Sequence, residues 1–153
     1  MKNIFKISRV PGLVLLSTFT LFSCHDKLDT REGQLNVDDV DYYMNDPWEK
    51  KSIHVVVEHK GKSVGVGRLT YDEDGNGIIS QMAVLPLYQK KNVGSSILEH
   101  FIKLCVYNSS EKVYMSARET AIGFYEKFGF ATIGAEFASP KTGITHVSMV
   151  LVL

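Results

Sequence analysis

The spacing of apolar residues changes near Pro86, and this change separates a predicted sheet from a predicted helix. The segment IHVVVEHKGKSVGVGRLTYDEDGNGIISQMAVLP, residues 53–86, contains three β-branched or alternating runs that are separated by the turn sequences KGK and DEDGNG. Alternating runs joined by short polar turns are typical of an antiparallel meander. We therefore predict three consecutive strands in this segment.

After Pro86 the apolar residues recur at helical spacing, which predicts a helix of roughly 14 residues. Its apolar face consists of Val93, Ile97, Leu98, Phe101, Ile102 and Cys105. Further along, KVYMSA (112–117) predicts a strand, ETAIGFYEKFG (119–129) a second helix that ends at Gly129, and FATIGAEF (130–137) and HVSMVLVL (146–153) two closing strands. The chain thus alternates between sheet and helix up to its last residues.

The first 24 residues carry two incompatible patterns. A basic stretch, a short apolar run and the sequence LFSC that ends at Cys24 resemble a bacterial lipoprotein signal. The apolar run is too short to span a bilayer. Alternatively, NIFKISRV (3–10) alternates like a strand, and Pro11 can open a helix that extends to about Asp26. Residues 35–51 show no sustained period and predict a connecting segment.

Composition limits the classes of function. With 153 residues, of which 44% are hydrophobic, the chain suits one compact domain, residues 1–153. The 17 basic residues balance the 17 acidic ones, so no excess charge points to nucleic acid or to an anionic membrane. The two cysteines, Cys24 and Cys105, form neither a disulfide scaffold nor a zinc spacing, and we predict no metal. We expect Cys105 to pack inside a helix.

The stretch LPLYQKKNVGSS, residues 85–96, leads from a predicted strand into a predicted helix. In this arrangement backbone N–H groups and the positive end of the helix dipole converge, which favours a bound pyrophosphate. Lys90 and Lys91 add positive charge at the rim, and Asn92 stands where a left-handed turn would favour glycine. Asparagine tolerates positive φ better than most residues. From the loop alone, an ordinary turn with two solvated lysines is an equal alternative.

Two longer stretches resemble conserved motifs of the GNAT acyltransferase superfamily. ISQMAVLPLYQKKNVGSSIL (79–98) is similar to its acetyl-CoA signature, a strand and a proline followed by Arg/Gln-x-x-Gly-x-Gly/Ala. The match includes Gln89 and Gly94, and Asn92 departs from it at the first glycine. AIGFYEKFGF (121–130) resembles the next conserved helix, and GITHVSM (143–149) a closing strand of one branch. The resemblance extends from about Ile53 to Leu153.

The resemblance implies an α/β fold, with a mixed, mostly antiparallel sheet of six or seven strands flanked by helices. It implies an N-acetyltransferase that uses acetyl-CoA as co-substrate and acts on a small-molecule or peptide amine. The pantetheine arm would contact Met82, Ala83 and Val84, and Tyr125 would protonate or steer the leaving thiolate. The pyrophosphate would contact Gln89, Lys90, Lys91, Asn92, Val93, Gly94 and Ser95. A homodimer is an additional expectation.

Several assignments stay open at this point. The general base is either an ordered water chain or one of Asp72, Glu73, Asp74, Glu119, Glu136 and His146. Tyr125 lies between Phe124 and Phe128 in sequence, so an aromatic core role is its alternative. Lone histidines such as His54 are more often satisfied core or surface residues than ligands. Asp38, Asp39 and Asp41 form either a solvated face or a surface for a cationic substrate.

The resemblance also bears on the N-terminus. The family's domains begin with a strand and one or two helices, and acetyl-CoA is an intracellular metabolite. Our working assignment is therefore a first strand at 3–10, a first helix from Pro11 to about Asp26 and a cytoplasmic location. The alternatives are a non-catalytic CoA-binding module and an exported lipoprotein that is anchored at Cys24.

Overall fold

The computed structural model describes residues 6–10, 48–139 and 143–153, which form one seven-stranded sheet that carries two α-helices. The strands are β1 (Lys6–Val10), β2 (Ile53–His59), β3 (Lys62–Tyr71), β4 (Gly77–Val84), β5 (Lys112–Arg118), β6 (Ala131–Ala138) and β7 (Thr145–Val152). The helices are α1 (Val93–Tyr107) and α2 (Ile122–Glu126), and 3₁₀ turns occupy Glu49–Lys51, Pro86–Tyr88 and Glu119–Ala121. The predicted fold class is confirmed.

The strands follow the order β1-β2-β3-β4-β5-β7-β6, so β1 and β6 form the two edges. β1 pairs antiparallel with β2 and lies within the predicted first strand. The predicted first helix and Cys24 lie outside the described residues, so the assignment of the N-terminal segment stays a prediction.

Both predicted turns of the meander are confirmed. Lys60 and Gly61, with φ of 51° and 74°, join β2 to β3 in the left-handed region that tight hairpins need. Between β3 and β4, the Asp72 Oδ1 accepts the amides of Asp74 at 3.1 Å and Asn76 at 2.7 Å. The Asp72 carboxylate therefore folds this turn.

Helix α1 packs tightly on one face of the sheet, because glycines on that face leave room for it. A Cβ on Gly67 would lie 2.7 Å from the ring of Phe101, and one on Gly77 would lie within contact distance of the Cys105 sulfur. The buried residues of the helix are Val93, Ile97, Leu98, Phe101 and Cys105, with Ile102 partly buried. The predicted apolar face and the predicted burial of Cys105 are confirmed.

The second predicted helix is shorter than its sequence pattern indicated. A 3₁₀ turn fills Glu119–Ala121, and α2 itself spans five residues. The segment ends where predicted, at Gly129 with φ of 87°. The compact turn brings Tyr125 back against Phe130, their ring centroids 6.1 Å apart.

The parallel pairing of β4 with β5 is short, and it opens a fork in the sheet. Gly77, Ile78 and Ile79 pair with Val113, Tyr114 and Met115, and the pairing stops there. Residues 80–84 of β4 and 116–118 of β5 therefore form two separate arms, which we call the fork. β5 continues on its other side with β7, antiparallel as far as Arg118 opposite His146.

Candidate functional site

The β4 arm of the fork is turned by a bulge. Ser80 pairs with Arg68 and Ala83 with Val66, so Gln81 and Met82 together stand opposite the single residue Gly67. Gln81 adopts φ of 51°, in the left-handed region. A bulge bends its strand and re-aims the residues that follow it. The predicted pantetheine contacts Met82, Ala83 and Val84 all follow Gln81, on the arm that β5 does not pair.

Gln89 holds the loop after β4 through its backbone and side-chain amides. The Gln89 amide, expected to face a phosphate, donates to the Pro86 carbonyl at 3.2 Å. Its side-chain amide donates to the Val84 carbonyl at 3.4 Å. Gln89 therefore ties the loop to the end of β4, and its contact with a pyrophosphate stays a prediction.

Asn92 adopts the left-handed conformation that the sequence predicted, with φ of 65° and ψ of 8°. Its side chain makes no hydrogen bond that caps α1. The first amide of the helix with a backbone acceptor in the helix is that of Ser96, which donates to the Asn92 carbonyl at 2.9 Å. The amides of Val93, Gly94 and Ser95 precede it in the uncapped first turn. Uncapped amides at the positive end of a helix dipole suit an anionic group such as a pyrophosphate.

The rim of this loop carries the two lysines, both exposed as expected. The Lys91 Nζ lies 5.5 Å from the centroid of the Tyr88 ring, within the range of a cation–π contact. Tyr88 in turn meets the His59 ring edge to face at 5.7 Å. Lys90 has φ of 56°, a second left-handed residue that the sequence did not indicate.

The two motifs meet at Gly94. A Cβ on Gly94 would lie 3.6 Å from the Phe124 ring and 3.7 Å from the Met82 and Val84 side chains, which is ordinary contact distance. The start of α1 thus touches both the β4 arm and α2. Tyr125, next to Phe124, is 8% exposed and lies in the main hydrophobic cluster with Phe130. The structure brings the predicted cofactor segment and the predicted acid to one side of the fork.

The candidate bases are not brought together. Asp72, Glu73 and Asp74 lie in the turn before β4, at the end opposite the phosphate loop, and the Asp72 carboxylate is engaged by that turn. Glu119 follows the β5 arm directly. His146 lies opposite Arg118, and its Nδ1 is 2.8 Å from the Ile144 carbonyl. Glu136 lies on the edge strand β6. Of this set, Glu119 and His146 are at the open end of the fork.

A partly buried polar row next to the bulge was missed by the sequence reasoning. It consists of Glu49, His54, Arg68 and Ser80, and it lies on the sheet face opposite α1. The alternation of β3 places it there, because Gly67 faces α1 and Arg68 is the next residue. The available signal was a charged residue, Arg68, within an otherwise apolar strand. His54 is buried, as its interpretation as a core residue expects, but its Nε2 forms no hydrogen bond and lies 3.1 Å from the Glu49 Oε1.

Residues 6–10, 48–139 and 143–153 hold no group of three His, Cys, Asp or Glu side chains placed to bind a metal ion. In the same ranges, no helix has the length and apolarity required to cross a bilayer.

Comparison with known proteins identifies related sequences. The sequence model of the family described as "Acetyltransferase (GNAT) domain" matches residues 25–153. A Bacillus subtilis protein, "Uncharacterized protein YyaT", is 25% identical over 130 residues, which is 82% of this chain and 86% of that one. "Glucosamine 6-phosphate N-acetyltransferase" of Schizosaccharomyces pombe is 35% identical over 60 residues, which is 39% of this chain and 54% of that one.

Solved structures share the fold at low identity. The "IAA acetyltransferase" of Bacillus cereus superposes with a TM-score of 0.68 at 15% identity and covers 98% of this chain and 100% of its own. A "GNAT family acetyltransferase" from Elizabethkingia anophelis, solved with acetyl-CoA bound, gives a TM-score of 0.65 at 12% identity. The match covers 99% of this chain and 100% of that one.

Proposed function

Because the chain belongs to the GNAT acetyltransferase family, we propose that it transfers an acetyl group from acetyl-CoA to a primary amine. The observation that carries this proposal is the fork. The bulged β4 arm, the loop that Gln89 holds and the uncapped start of α1 follow one another without interruption along residues 80–95. An extended, anionic molecule with a thioester at one end and a pyrophosphate beyond a pantetheine arm matches this order of groups.

The residues present fit acetyl-CoA. The backbone groups of Met82, Ala83 and Val84 that face away from β3 are not paired by β5, and apart from the Val84 carbonyl, which accepts from Gln89, they suit the amide groups of a pantetheine arm. The amides of Lys90 to Ser95 and the charges of Lys90 and Lys91 suit the pyrophosphate. Gln89 keeps its predicted place in the motif but acts by bracing the loop.

Acetyl-CoA supplies a thioester whose carbonyl carbon is open to attack by a neutral amine. The amine nitrogen bonds to that carbon, the carbon–sulfur bond breaks, the nitrogen loses one proton, and the sulfur leaves as a thiolate that takes up one proton. Tyr125 is the proposed donor or hydrogen-bond partner for that sulfur, and a backbone N–H of the β4 arm the proposed partner for the carbonyl oxygen.

Deprotonating the substrate amine needs more free energy than the departure of the thiol does. An amine with a pKa near ~10.4 is neutral about once in 10³ at pH 7, which amounts to ~4 to 5 kcal/mol. A thiol with a pKa near ~8.5 is much closer to neutral pH, so its departure as a thiolate needs less help than the loss of the amine proton. Glu119 and His146, at the open end of the fork, are the proposed routes for the amine proton, directly or through water.

A second candidate function is CoA binding without transfer. The observation in its favour is that Tyr125 is 8% exposed and packs its ring edge to face against Phe124 at 4.9 Å and Phe130 at 6.1 Å. This is also the environment of an aromatic core residue, without a chemical role.

The test combines titration calorimetry of CoA and acetyl-CoA with a thiol-release screen. The screen uses acetyl-CoA with polyamines, amino sugars, aminoglycosides and peptide N-termini. Cys105 is buried and adds little background to a thiol reagent, and a Cys24→Ser variant controls for the other cysteine. Binding together with amine-dependent thiol release supports transfer. Binding without release across the panel supports the second candidate, and absence of binding overturns both.

Location and assembly are also proposals. We infer a cytoplasmic enzyme, because acetyl-CoA is an intracellular metabolite. Mass spectrometry of the native N-terminus decides this, since a lipidated Cys24 would establish the exported alternative. A homodimer is supported by the edge strand β6, whose eight residues are all exposed, Ile133 and Phe137 among them. Light scattering across a concentration series tests it, and a monomer at all concentrations would exclude it.

A further inference from the structure

The partly buried polar row introduced above crosses three strands side by side. His54 of β2 pairs with Arg68 of β3, and Arg68 pairs with Ser80 of β4. The Arg68 Nε donates to the Ser80 Oγ at 2.9 Å, and its Nη1 donates to the Glu49 Oε2 at 3.0 Å. The other Glu49 oxygen lies 3.1 Å from the His54 Nε2, within ion-pair distance although off the line of a hydrogen bond. We call these four residues the Arg68 row.

The Arg68 row is costly to bury. His54 is 4% and Arg68 9% exposed, and the residues that flank them in β2 and β3 carry no polar side chain: Ile53, Val55, Gly67 and Leu69. Burying a paired charge usually contributes less stability than well-packed apolar residues of similar volume would. What a planar guanidinium adds is direction, because its N–H groups point along fixed lines toward two different acceptors. A directional role therefore accounts for the row better than a stabilising one.

The row lies where the two irregularities of the sheet meet. The β3–β4 register shifts between Val66 and Arg68, so Ser80 is the last residue of β4 in register before the bulge. The β4–β5 pairing ends at Ile79, so Ser80 is also the first residue of the fork. Gln81, with φ of 51°, follows directly, and together with His54 and Arg68 it lines a concavity on this face.

We propose that the Arg68 row is a positioning device that fixes the bulge at Gln81 and thereby aims the β4 arm at acetyl-CoA. This inference rests on the proposed function, because the arm is the proposed pantetheine site. The physical reason is register. If the bulge moved back past Ser80, Gln81 would pair with Arg68 and Met82 with Gly67, and the bend of the strand would no longer begin at Gln81. This slip would also carry Ser80 away from the Arg68 Nε, so the hydrogen bond at 2.9 Å opposes the slip.

The chain offers a matched control one row away. The Thr70 Oγ1 and the Ser52 Oγ share a hydrogen bond of 2.7 Å on the same sheet face. Thr70 is buried, and it pairs with Ile78 in the part of β4 that is still joined to β5. Thr70→Val removes one buried hydrogen bond outside the fork, and Ser80→Ala removes one at the fork. A merely structural role predicts similar effects for the two variants.

The experiment measures CoA affinity by calorimetry and the melting temperature for both variants. If Ser80→Ala leaves about one molecule in five with the correct register, its dissociation constant for CoA rises about fivefold. We expect that rise in Ser80→Ala and an unchanged constant in Thr70→Val, with similar losses in melting temperature. Equal dissociation constants for the two variants would overturn the inference.

Arg68→Lys provides a second, independent variant. Lysine keeps the charge but presents a single nitrogen, so it cannot hold Glu49 and Ser80 in one plane. We expect the CoA affinity of Arg68→Lys to fall at least as far as that of Ser80→Ala. The variant that carries both substitutions should bind CoA no more weakly than the single variant with the lower affinity. Wild-type affinity in Arg68→Lys would overturn the inference. A wild-type protein that binds no CoA would instead overturn the proposed function itself.

Discussion

Asn92 is the position where a substitution tests the phosphate loop most directly. Its φ of 65° lies in the left-handed region, and its side chain makes no hydrogen bond that caps α1. We expect Asn92→Gly to keep the affinity for CoA and Asn92→Ala to lower it. The backbone conformation alone distinguishes the two variants, because glycine adopts positive φ freely and an ordinary L-residue pays about 1–2 kcal/mol for it.

The magnitude follows from that strain. If alanine raises the free energy of the left-handed turn by about 1 kcal/mol, the population of the loop that can bind CoA falls about fivefold. The dissociation constant for CoA then rises by the same factor. A strain of the full 2 kcal/mol corresponds to a rise of about thirtyfold in the dissociation constant. For glycine, relief of the remaining strain is offset by about 0.4–1 kcal/mol from the greater freedom of the unfolded chain. The melting temperature of Asn92→Gly should therefore stay close to that of the wild type.

The assay pairs calorimetric CoA binding with thermal unfolding, and Ser109 supplies the control. Ser109 also has a positive φ, 56°, and it follows the other end of α1. That end is about 22 Å from the phosphate loop by the rise of a 15-residue helix. Ser109→Gly and Ser109→Ala should change the melting temperature through the same backbone effect and leave the CoA affinity unaltered.

Two results would refute this reasoning. A loss of CoA affinity greater than about tenfold in Asn92→Gly would mean that the Asn92 side chain contacts the cofactor. Identical affinities for Asn92→Ala and the wild type would mean that the left-handed turn does not control the site.

Three further predictions concern other parts of the molecule. Tyr125→Phe keeps the ring contacts, so we expect turnover to fall by ~10² to 10⁴ at constant CoA affinity; unchanged turnover would return Tyr125 to the aromatic core. Gly67→Ala places a Cβ 2.7 Å from Phe101 and should lower the free energy of unfolding in urea by about 1–3 kcal/mol. Gly123→Ala places a Cβ that meets nothing within 4 Å and should not lower it. Equal losses of unfolding free energy in the two variants would contradict the close packing of α1. Burial raises the pKa of the Cys105 thiol from 9.0 to about 11, so the folded protein retains a proton that the unfolded chain loses. Stability should be fully present below pH 9 and fall by up to about 3 kcal/mol toward pH 11, and Cys105→Ala should flatten that slope in denaturant titrations at each pH; a slope unaltered by the substitution would contradict the assignment.

Local periodicity was sufficient to predict the meander and α1. The apolar positions from Val93 to Cys105 lie on one helical face, and burying that face stabilises the helix that the pattern indicates. The short form of α2 was not predicted, because 3₁₀ and α turns differ by one residue in hydrogen-bond spacing and suit the same sequence. Asn92 was identified as left-handed because its residue type favours that region.

Features that depend on distant partners were not predictable in this way. Glutamine carries no signal for positive φ, so the bulge at Gln81 comes from its pairing with β3 and not from its own preference. Glu49, His54, Arg68 and Ser80 are spread over 32 positions of the chain, and only the strand register brings them together. For the same reason the sequence could nominate six bases without ranking them by distance to the fork.

The three-residue pairing of β4 with β5 has a kinetic consequence. The sheet consists of two leaves, β1 to β4 and β5 to β7, and α1 contacts both of them. Acetyl-CoA bound as proposed would enter between the leaves without breaking a ladder hydrogen bond, because β4 and β5 do not pair beyond Ile79. Association therefore needs no preceding opening step, and its observed rate should rise linearly with cofactor concentration up to the limit of mixing.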